Sequence, residues 1–392
     1  MAYNFDTVID RKHTLSAKYD FMAEHHKPED TLPLWVADMD FQTPEAVRDA
    51  LKKAVDHGIY GYSEAKADYY AAVTGWFEHR FGWQTDPKWI VKTPGVVYAV
   101  NTAMKSLTRE GDAVLIQRPV YYPFTRVIEA NRRKLVNNPL IYKDGRYVID
   151  FEDFERKITD NDVKAFILCS PHNPVGRVWT KEELTQMGDI CLAHGVTIIA
   201  DEIHCDFTYP GVKHTVFANI KPEFADHSIT CTAPSKTFNL AGLQVSNIFI
   251  KNPDLRRNFK DEISASGCGG VGLMGLVACQ TAYTRGEAWL DALKDYLKGN
   301  LDFVRAFLKD HLPKVRLIEP EGTYLLWLDF NALGLSPDAL EDLMVNKARL
   351  WLDRGNMFGP EGEGFERFNI ACPRATLKQA FERLKAAIDT LA

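Results

Sequence analysis

The chain of 392 residues reads as an α/β protein: a mostly parallel sheet covered by helices, followed by a second, smaller α+β domain. Three observations predict this. Short runs rich in β-branched residues alternate with longer helical patterns across the middle of the chain, which is the order of a wound parallel sheet. Those runs are continuously apolar rather than alternating, as strands buried on both faces must be. From about Glu287 onward the pattern changes to long charged amphipathic segments with one strand-like insert, the mark of a separate α+β unit. At this length a single core is unusual, so two domains are expected.

The first helix of the large domain is predicted to begin at Thr43-Pro44, because proline suits a first turn where its missing N–H has no acceptor in any case. Val47, Leu51, Ala54 and Val55 fall on one face of it, and Gly58 marks the stop. Strands are predicted at 113–116, 165–169, 197–200, 228–231 and 247–250. Between the second and third of these, Thr180-Lys181-Glu182-Glu183 is a capping-box pattern. It opens a crossover helix that carries Leu184, Met187, Ile190 and Cys191 before Gly195 ends it. Further on, helices are predicted over 290–312, 337–354 and 377–391, with a strand over 323–328. The expected division is a large domain over 44–287 and a small one made of 1–43 and 288–392. No Gly/Ser or Pro-rich linker separates them, so the junction is expected inside a continuous helix. Internal repeats and low-complexity segments are absent from the sequence.

A formal net charge of -6, from 47 Lys and Arg against 53 Asp and Glu, offers no basic stripe for nucleic acid and no polybasic segment for anionic lipid. Neither partner is expected. The opening Met1-Ala2-Tyr3-Asn4-Phe5-Asp6 has no basic stretch leading into an apolar run, and no later stretch is long and apolar enough to span a bilayer. A cytoplasmic location is therefore expected. The seven cysteines (Cys169, Cys191, Cys205, Cys231, Cys268, Cys279, Cys372) are an odd number, have no C-x-x-C spacing and lie mostly in apolar segments. They are expected to be reduced thiols rather than a disulfide framework.

Chemistry concentrates at Lys236. It sits in Ala233-Pro234-Ser235-Lys236-Thr237-Phe238-Asn239-Leu240-Ala241-Gly242-Leu243, small and hydroxyl-bearing surroundings that hold an amine at a polar site. An isolated lysine is usually a solvated surface charge, but two other polar residues share its setting. Asn173, Asp201 and Lys236 each follow a predicted strand at its carboxyl end, where ligands collect in open α/β sheets. A lysine can form a Schiff base with a carbonyl cofactor such as pyridoxal phosphate, whose ring nitrogen then needs an acid. In that reading Lys236 holds the cofactor aldehyde, Asp201 keeps the pyridine nitrogen protonated, and Asn173 donates to the phenolic oxygen. A flat ring also wants an aromatic neighbour, and Pro119-Val120-Tyr121-Tyr122-Pro123 follows another predicted strand.

Further motifs accompany these: Ala37-Asp38-Met39-Asp40-Phe41, Tyr60-Gly61-Tyr62-Ser63, Ser170-Pro171-His172-Asn173-Pro174-Val175-Gly176, Asp201-Glu202-Ile203-His204, Ser235-Lys236-Thr237-Phe238-Asn239 and Arg367-Phe368-Asn369-Ile370-Ala371-Cys372-Pro373-Arg374. With them the chain resembles, over nearly its whole length, the fold-type I pyridoxal-phosphate enzymes of the class I/II aminotransferase superfamily. Within that superfamily it is most similar to the bacterial cystathionine β-lyase-like carbon-sulfur lyases. The resemblance implies a large domain with a mostly parallel seven-stranded sheet plus a smaller α+β domain, pyridoxal 5'-phosphate as cofactor, a small amino-acid substrate, and a homodimer with shared active sites. It implies that Lys236 carries the cofactor, that Asp201 meets the ring nitrogen, that Asn173 and His204 meet the phenolic oxygen, and that Tyr121 stacks on the ring. Ser235 and the backbone amides of Val96 and Val97, at the start of a predicted helix after Gly95, are implied to hold the phosphate. Tyr62 is implied to reach the phosphate of the partner subunit. Arg367, with its planar fork of donors, is implied to grip the substrate α-carboxylate beside Ala37, with Arg374 a competitor for that task.

One departure stands out. Many aminotransferases have an arginine eight residues after the lysine and a serine three residues before it, both serving the phosphate; here Gln244 and Ala233 stand there. Phosphate anchoring is expected to be weaker or differently built. Two decoys are set aside. Gly267-Cys268-Gly269-Gly270-Val271-Gly272 fits G-x-G-x-x-G but follows a helical, charged stretch instead of the strand a dinucleotide fingerprint requires. Asp201, Glu202, His204, Cys205 and Asp206 bunch like metal ligands, yet side chains diverge at a strand end, and no metal is expected. The leading expectation is a carbon-sulfur β-lyase. Its rivals are an aminotransferase and a regulatory protein that retains the cofactor site.

Overall fold

In the computed structural model, which describes residues 3–391, the five predicted strands form as Ala113–Ile116, Val163–Cys169, Thr197–Asp201, Ser228–Thr232 and Ser246–Phe249. Two further short strands, Ile90–Thr93 and Lys134–Asn137, complete a seven-stranded sheet at its two edges. Each has a sheet neighbour on one side only, is four residues long and carries polar residues such as Lys92, Lys134 and Asn137, so neither shows the continuous apolar run that marks the interior ones. From edge to edge the order is Ile90–Thr93, Ser246–Phe249, Ser228–Thr232, Thr197–Asp201, Val163–Cys169, Ala113–Ile116, Lys134–Asn137. Every strand runs the same way except Ser246–Phe249, which is antiparallel to both neighbours.

The pleat divides each strand between two apolar layers. Val114, Ile116, Ala165, Ile167, Ile199 and Ile229 meet the helix Val96–Leu107 on one face. Ala113, Leu115, Phe166, Leu168, Ile198 and Ala200 meet Phe154 and the helix Lys181–Ala193 on the other. That two-sided burial is why the runs are apolar at every position. The capping box forms as expected: Thr180 accepts the N–H of Glu183, and the Glu183 carboxylate accepts the N–H of Thr180. The helix predicted from Thr43-Pro44 spans Glu45–His57 and ends on left-handed Gly58. Val47 is buried on it and Leu51 and Ala54 are half-buried, whereas Val55 is exposed and does not join the apolar face.

The helices Leu273–Arg285 and Glu287–His311 meet at Gly286 instead of running on as one. A Cβ there would lie 2.4 Å from the Phe238 ring and 2.5 Å from the Ala282 carbonyl oxygen, so the close approach of the two helices to Phe238 requires glycine. Leu290, Leu293, Leu297, Leu301, Val304 and Leu308 form the buried stripe of the longer helix, three or four residues apart as a 3.6-residue period demands. Beyond it lies a four-stranded antiparallel sheet in the order Arg316–Ile318, Leu325–Asp329, Phe365–Asn369, Asp353–Arg354. The helix Arg374–Asp389 follows.

The expected helix over 337–354 is corrected. It spans only Pro337–Asp342, continues as one wider turn over Leu343–Lys347, and is broken at Arg349, whose φ is 54°. After the break, Leu350–Trp351 pairs in parallel with Leu32–Pro33, and Asp353–Arg354 pairs with Glu366 and Arg367. Two waiting strands supply backbone partners that outweigh a local helical preference worth only tenths of a kcal/mol per residue. The N-terminal segment is tied down by the same pairing, and Trp35 stacks on Trp351 with ring centroids 4.4 Å apart. All seven cysteines are free, and all but Cys268 are buried. The Gly267–Gly272 run follows the helix Pro253–Ala265 and so lacks the strand a dinucleotide site needs.

Candidate active site

A cavity of about 420 Å³ opens at the carboxyl ends of the parallel strands, within the size range of small-molecule and cofactor sites. Strand parity decides what enters it. Asp201 ends its strand with the parity of Ile199, so its side chain points to the face covered by the helix Val96–Leu107. Glu202, one residue on, turns away and is buried against His214 Nε2 at 2.7 Å and the Phe217 N–H at 2.9 Å. Lys236 lies on the short helix Pro234–Thr237 that follows Ser228–Thr232. Tyr121, Asn173, Asp201, His204, Ser235 and Lys236 all line the cavity, and so do Ala37, Val96 and Val97.

The helix Val96–Leu107 presents its N-terminus to this space. Its cap, Gly95, has no side chain, and the first turn carries no acidic residue. The leading N–H groups therefore have no partner within the helix and form a cradle for an anion. Ser235 and Gln244 border the same cavity. Among the described residues Lys236 is the one lysine or arginine lining it, so an anion at that end would be held by helix amides, a hydroxyl and an amide in place of a guanidinium.

Burial shapes the titrating groups. It pushes the Asp201 carboxyl up from 3.8 to about 7, helped by Glu202 and opposed by the Ile203 N–H and by Lys236. That carboxylate accepts one protein hydrogen bond, from the Ile203 N–H at 3.1 Å, and no other donor reaches it among the described residues. Burial, with Arg367 nearby, lowers Lys236 from 10.5 to about 8, while Asp38 and Asp201 act the other way. Burial also holds His204 well below its ordinary value, with Lys236 and Arg367 adding to the effect. The imidazole is thus neutral, and its Nδ1 is buried without a partner.

Arg367 lies just behind the cavity wall. It is 2% exposed, which overturns any reading of it as a surface charge. Nη1 donates to Asn173 Oδ1 at 3.0 Å, Nη2 donates to the Trp35 carbonyl at 2.8 Å and to Asp353, and Nε is buried without a partner. Its guanidinium lies over the Phe358 ring at 5.0 Å. Because arginine only donates, Asn173 must turn its oxygen to Arg367, which leaves its Nδ2 donor for the cavity. Arg374 takes no part: its Nε donates to Asn300 Oδ1 at 2.6 Å, and it lies over Tyr296 and Phe303. Tyr62 is fully exposed and does not line the cavity of its own chain.

These residues fit pyridoxal 5'-phosphate. A buried carboxylate with a single protein donor suits a protonated ring nitrogen, a half-buried amine suits an aldehyde, a free amide donor suits a phenolic oxygen, and an uncapped helix start suits a phosphate. No group of three or more side chains able to hold a metal occurs among the described residues. Two participants escaped the sequence reading. Asp353 was hidden inside the expected helix over 337–354, and strand register alone sets it opposite Arg367. Tyr324 gave no local signal, yet its hydroxyl donates to the Ala37 carbonyl at 3.0 Å.

A wound parallel sheet with one reversed strand, and a lysine facing an aspartate across its carboxyl ends, define the fold-type I class of pyridoxal-phosphate enzymes. Within that class, the chain belongs to the aminotransferase class I and II family, whose model matches residues 29–384. Cystathionine beta-lyase PatB of Bacillus subtilis is 47% identical over 386 residues, covering 98% of this chain and 100% of that protein. Cystalysin of Treponema denticola, whose crystal structure contains a pyridoxal 5'-phosphate cofactor, superposes with a TM-score of 0.97 at 41% identity, covering 100% of both chains. The PLP-bound C-S lyase of Staphylococcus hominis superposes with a TM-score of 0.93 at 34% identity, covering 99% of this chain and 98% of that one.

Proposed function

We propose that this protein is a pyridoxal 5'-phosphate-dependent carbon-sulfur β-lyase that cleaves cystathionine or a related cysteine S-conjugate to a thiol, pyruvate and ammonia. The observation that carries the chemistry is one cavity holding an amine of lowered basicity, a buried acid and an adjacent buried arginine fork. Lysis over amino transfer is supported by end-to-end similarity to proteins named as cystathionine β-lyase and C-S lyase. When bound, the cofactor supplies an electron sink for a carbanion at the substrate Cα.

The chain's own residues do the rest. Asp201 holds negative charge against the ring nitrogen, Asn173 Nδ2 and neutral His204 offer donors to the phenolic oxygen, and Tyr121 covers a face of the ring. Ser235 and the Val96 and Val97 amides hold the phosphate. Arg367 and the Ala37 backbone orient the substrate carboxylate, and the unpartnered Nε of Arg367 and the second N–H of its Nη1 are the donors left for it. Lys236 removes the Cα proton as general base, a task suited to an amine brought near neutrality by burial. The Cβ–S bond then breaks, sulfur leaves as thiolate and takes up a proton, and the three-carbon enamine that remains is released and hydrolysed by water to pyruvate and ammonia. The test is incubation of the purified protein and cofactor with cystathionine in the absence of any keto-acid acceptor. Thiol and pyruvate are expected in equal amounts. Amino transfer that appears only when an acceptor is added would assign the aminotransferase reaction instead.

The active unit is a homodimer in this reading, with Tyr62 serving the neighbouring subunit's phosphate, which agrees with its full exposure in the single chain. Mixing inactive Tyr62→Phe and Lys236→Ala chains is expected to restore part of the activity, since some mixed dimers contain one intact composite site. Mixed dimers that form without recovering activity would rule out sharing.

A further inference from the structure

Tyr324 is wholly buried and stands between Thr323 and the strand Leu325–Asp329. Thr323 is held at φ 67°, a region that a β-branched residue rarely enters. It is kept there by donating its N–H to the Phe207 carbonyl at 2.9 Å and by accepting the Leu325 N–H on its hydroxyl at 3.1 Å. Strain of this kind, buried in the fold, points to a neighbour whose placement matters. That neighbour is Tyr324. Its ring packs edge-on against Phe207 at 4.9 Å and lies 5.8 Å from His204, which aims the hydroxyl at the Ala37 carbonyl oxygen, 3.0 Å away. The same oxygen accepts Lys236 Nζ at 2.7 Å. One carbonyl oxygen has two lone pairs, and here both are taken.

We infer that Tyr324 is a positioning residue for Lys236: its hydroxyl fixes the Ala37 carbonyl as the acceptor that holds the lysine amine whenever that amine is not covalently engaged, and shares the oxygen so that the amine is released readily. The inference rests on the reading of Lys236 as the cofactor-bearing lysine. A carbonyl already polarised by one donor is a poorer acceptor for a second. Removing the hydroxyl leaves the oxygen to the lysine alone, and a hydrogen bond to the charged form favours that form. The other polar groups facing Lys236 stay in place: Asp201 from the central sheet, His204 from the turn that follows it, Asp38 from the N-terminal segment, Arg367 from the strand Phe365–Asn369, and Tyr121 across the cavity.

The experiment compares cofactor-free wild type with Tyr324→Phe. The phenyl ring keeps the packing against Phe207 and His204, and near-UV circular dichroism reports that the fold is retained. Pyridoxal 5'-phosphate is added across a range of pH, the covalent product is trapped with borohydride at timed intervals, and peptide mapping locates the label. In the variant, attachment to Lys236 is expected to reach half its limiting rate about half a pH unit or more above wild type, and to be about three- to tenfold slower at pH 7. The kcat for cystathionine should fall by a similar factor, with KM within about twofold of wild type. Identical attachment profiles, with Lys236 labelled in both proteins, would overturn the role of Tyr324. Label on a different lysine in wild type would instead overturn the assignment of Lys236, a separate failure.

Discussion

Lys236→Ala is expected to lose turnover by at least about a thousandfold, since the substitution removes both the covalent attachment point and the base that takes the Cα proton. The structure gives the reason for so large an effect. Lys236 is the one lysine or arginine lining the cavity among the described residues, so no neighbouring amine stands ready to replace it. Its surroundings are also tuned to it: burial and Arg367 lower its basicity to about 8, and the Ala37 carbonyl holds its Nζ at 2.7 Å. The check is borohydride trapping and peptide mapping beside steady-state rates. The trapped label is expected on the peptide around Ser235-Lys236-Thr237 in wild type and nowhere in the variant. A variant that still turned over cystathionine within tenfold of wild type would show that another group does the work.

Asp201→Asn is expected to separate activity from stability. Activity should fall by several orders of magnitude, because an amide cannot carry the charge that keeps a ring nitrogen protonated. Retention of activity within about tenfold, roughly 1.4 kcal/mol of barrier, would make the role untenable. Stability of the cofactor-free protein should move the other way. A carboxyl raised from 3.8 to about 7 binds its proton more tightly in the folded state than in the unfolded one. Its ionised form therefore costs stability in full above about pH 7. That cost shrinks as pH falls from 7 toward 3.8 and is absent below both values. At pH 8 the penalty is on the order of 4 kcal/mol, and asparagine removes it. The cofactor-free variant is expected to melt above cofactor-free wild type at pH 8, with the gap closing as pH is lowered. A gap that stayed constant with pH would mean that the buried charge is not its origin.

The sheet interior was legible because its signal is local. Runs such as Ala113-Val114-Leu115-Ile116 and Thr197-Ile198-Ile199-Ala200 are apolar at consecutive positions for a reason each strand carries by itself: both of its faces are covered. The edge strands Ile90–Thr93 and Lys134–Asn137 lack that signal, since each has a sheet neighbour on one side only and polar residues are tolerated there. The capping box at Thr180 and Glu183 was readable because its partners are three residues apart. Arg374, next to a chemically suggestive Cys372-Pro373, proved to be a packing residue against Tyr296, Asn300 and Phe303. It shares none of these with Arg367, whose hydrogen-bond partners are Asn173, Trp35 and Asp353.

Lys236, Asp201 and Asn173 could be singled out from the sequence because each lies just past a strand, and a parallel sheet gathers such positions at one end whatever the intervening chain does. What the sequence could not give was the set of contacts that tune them. Asp353 meets Arg367 only because 353–354 pairs as a strand instead of continuing a helix. Lys236 and Tyr324 share the Ala37 oxygen across 199 and 287 residues of chain. Periodicity, caps and strand ends are properties of neighbours in sequence, and these the amino acids determine by themselves. Burial of Asp201, the lowered basicity of Lys236 and the orientation of Asn173 depend on which distant groups displace water around them, and the tertiary structure alone decides that.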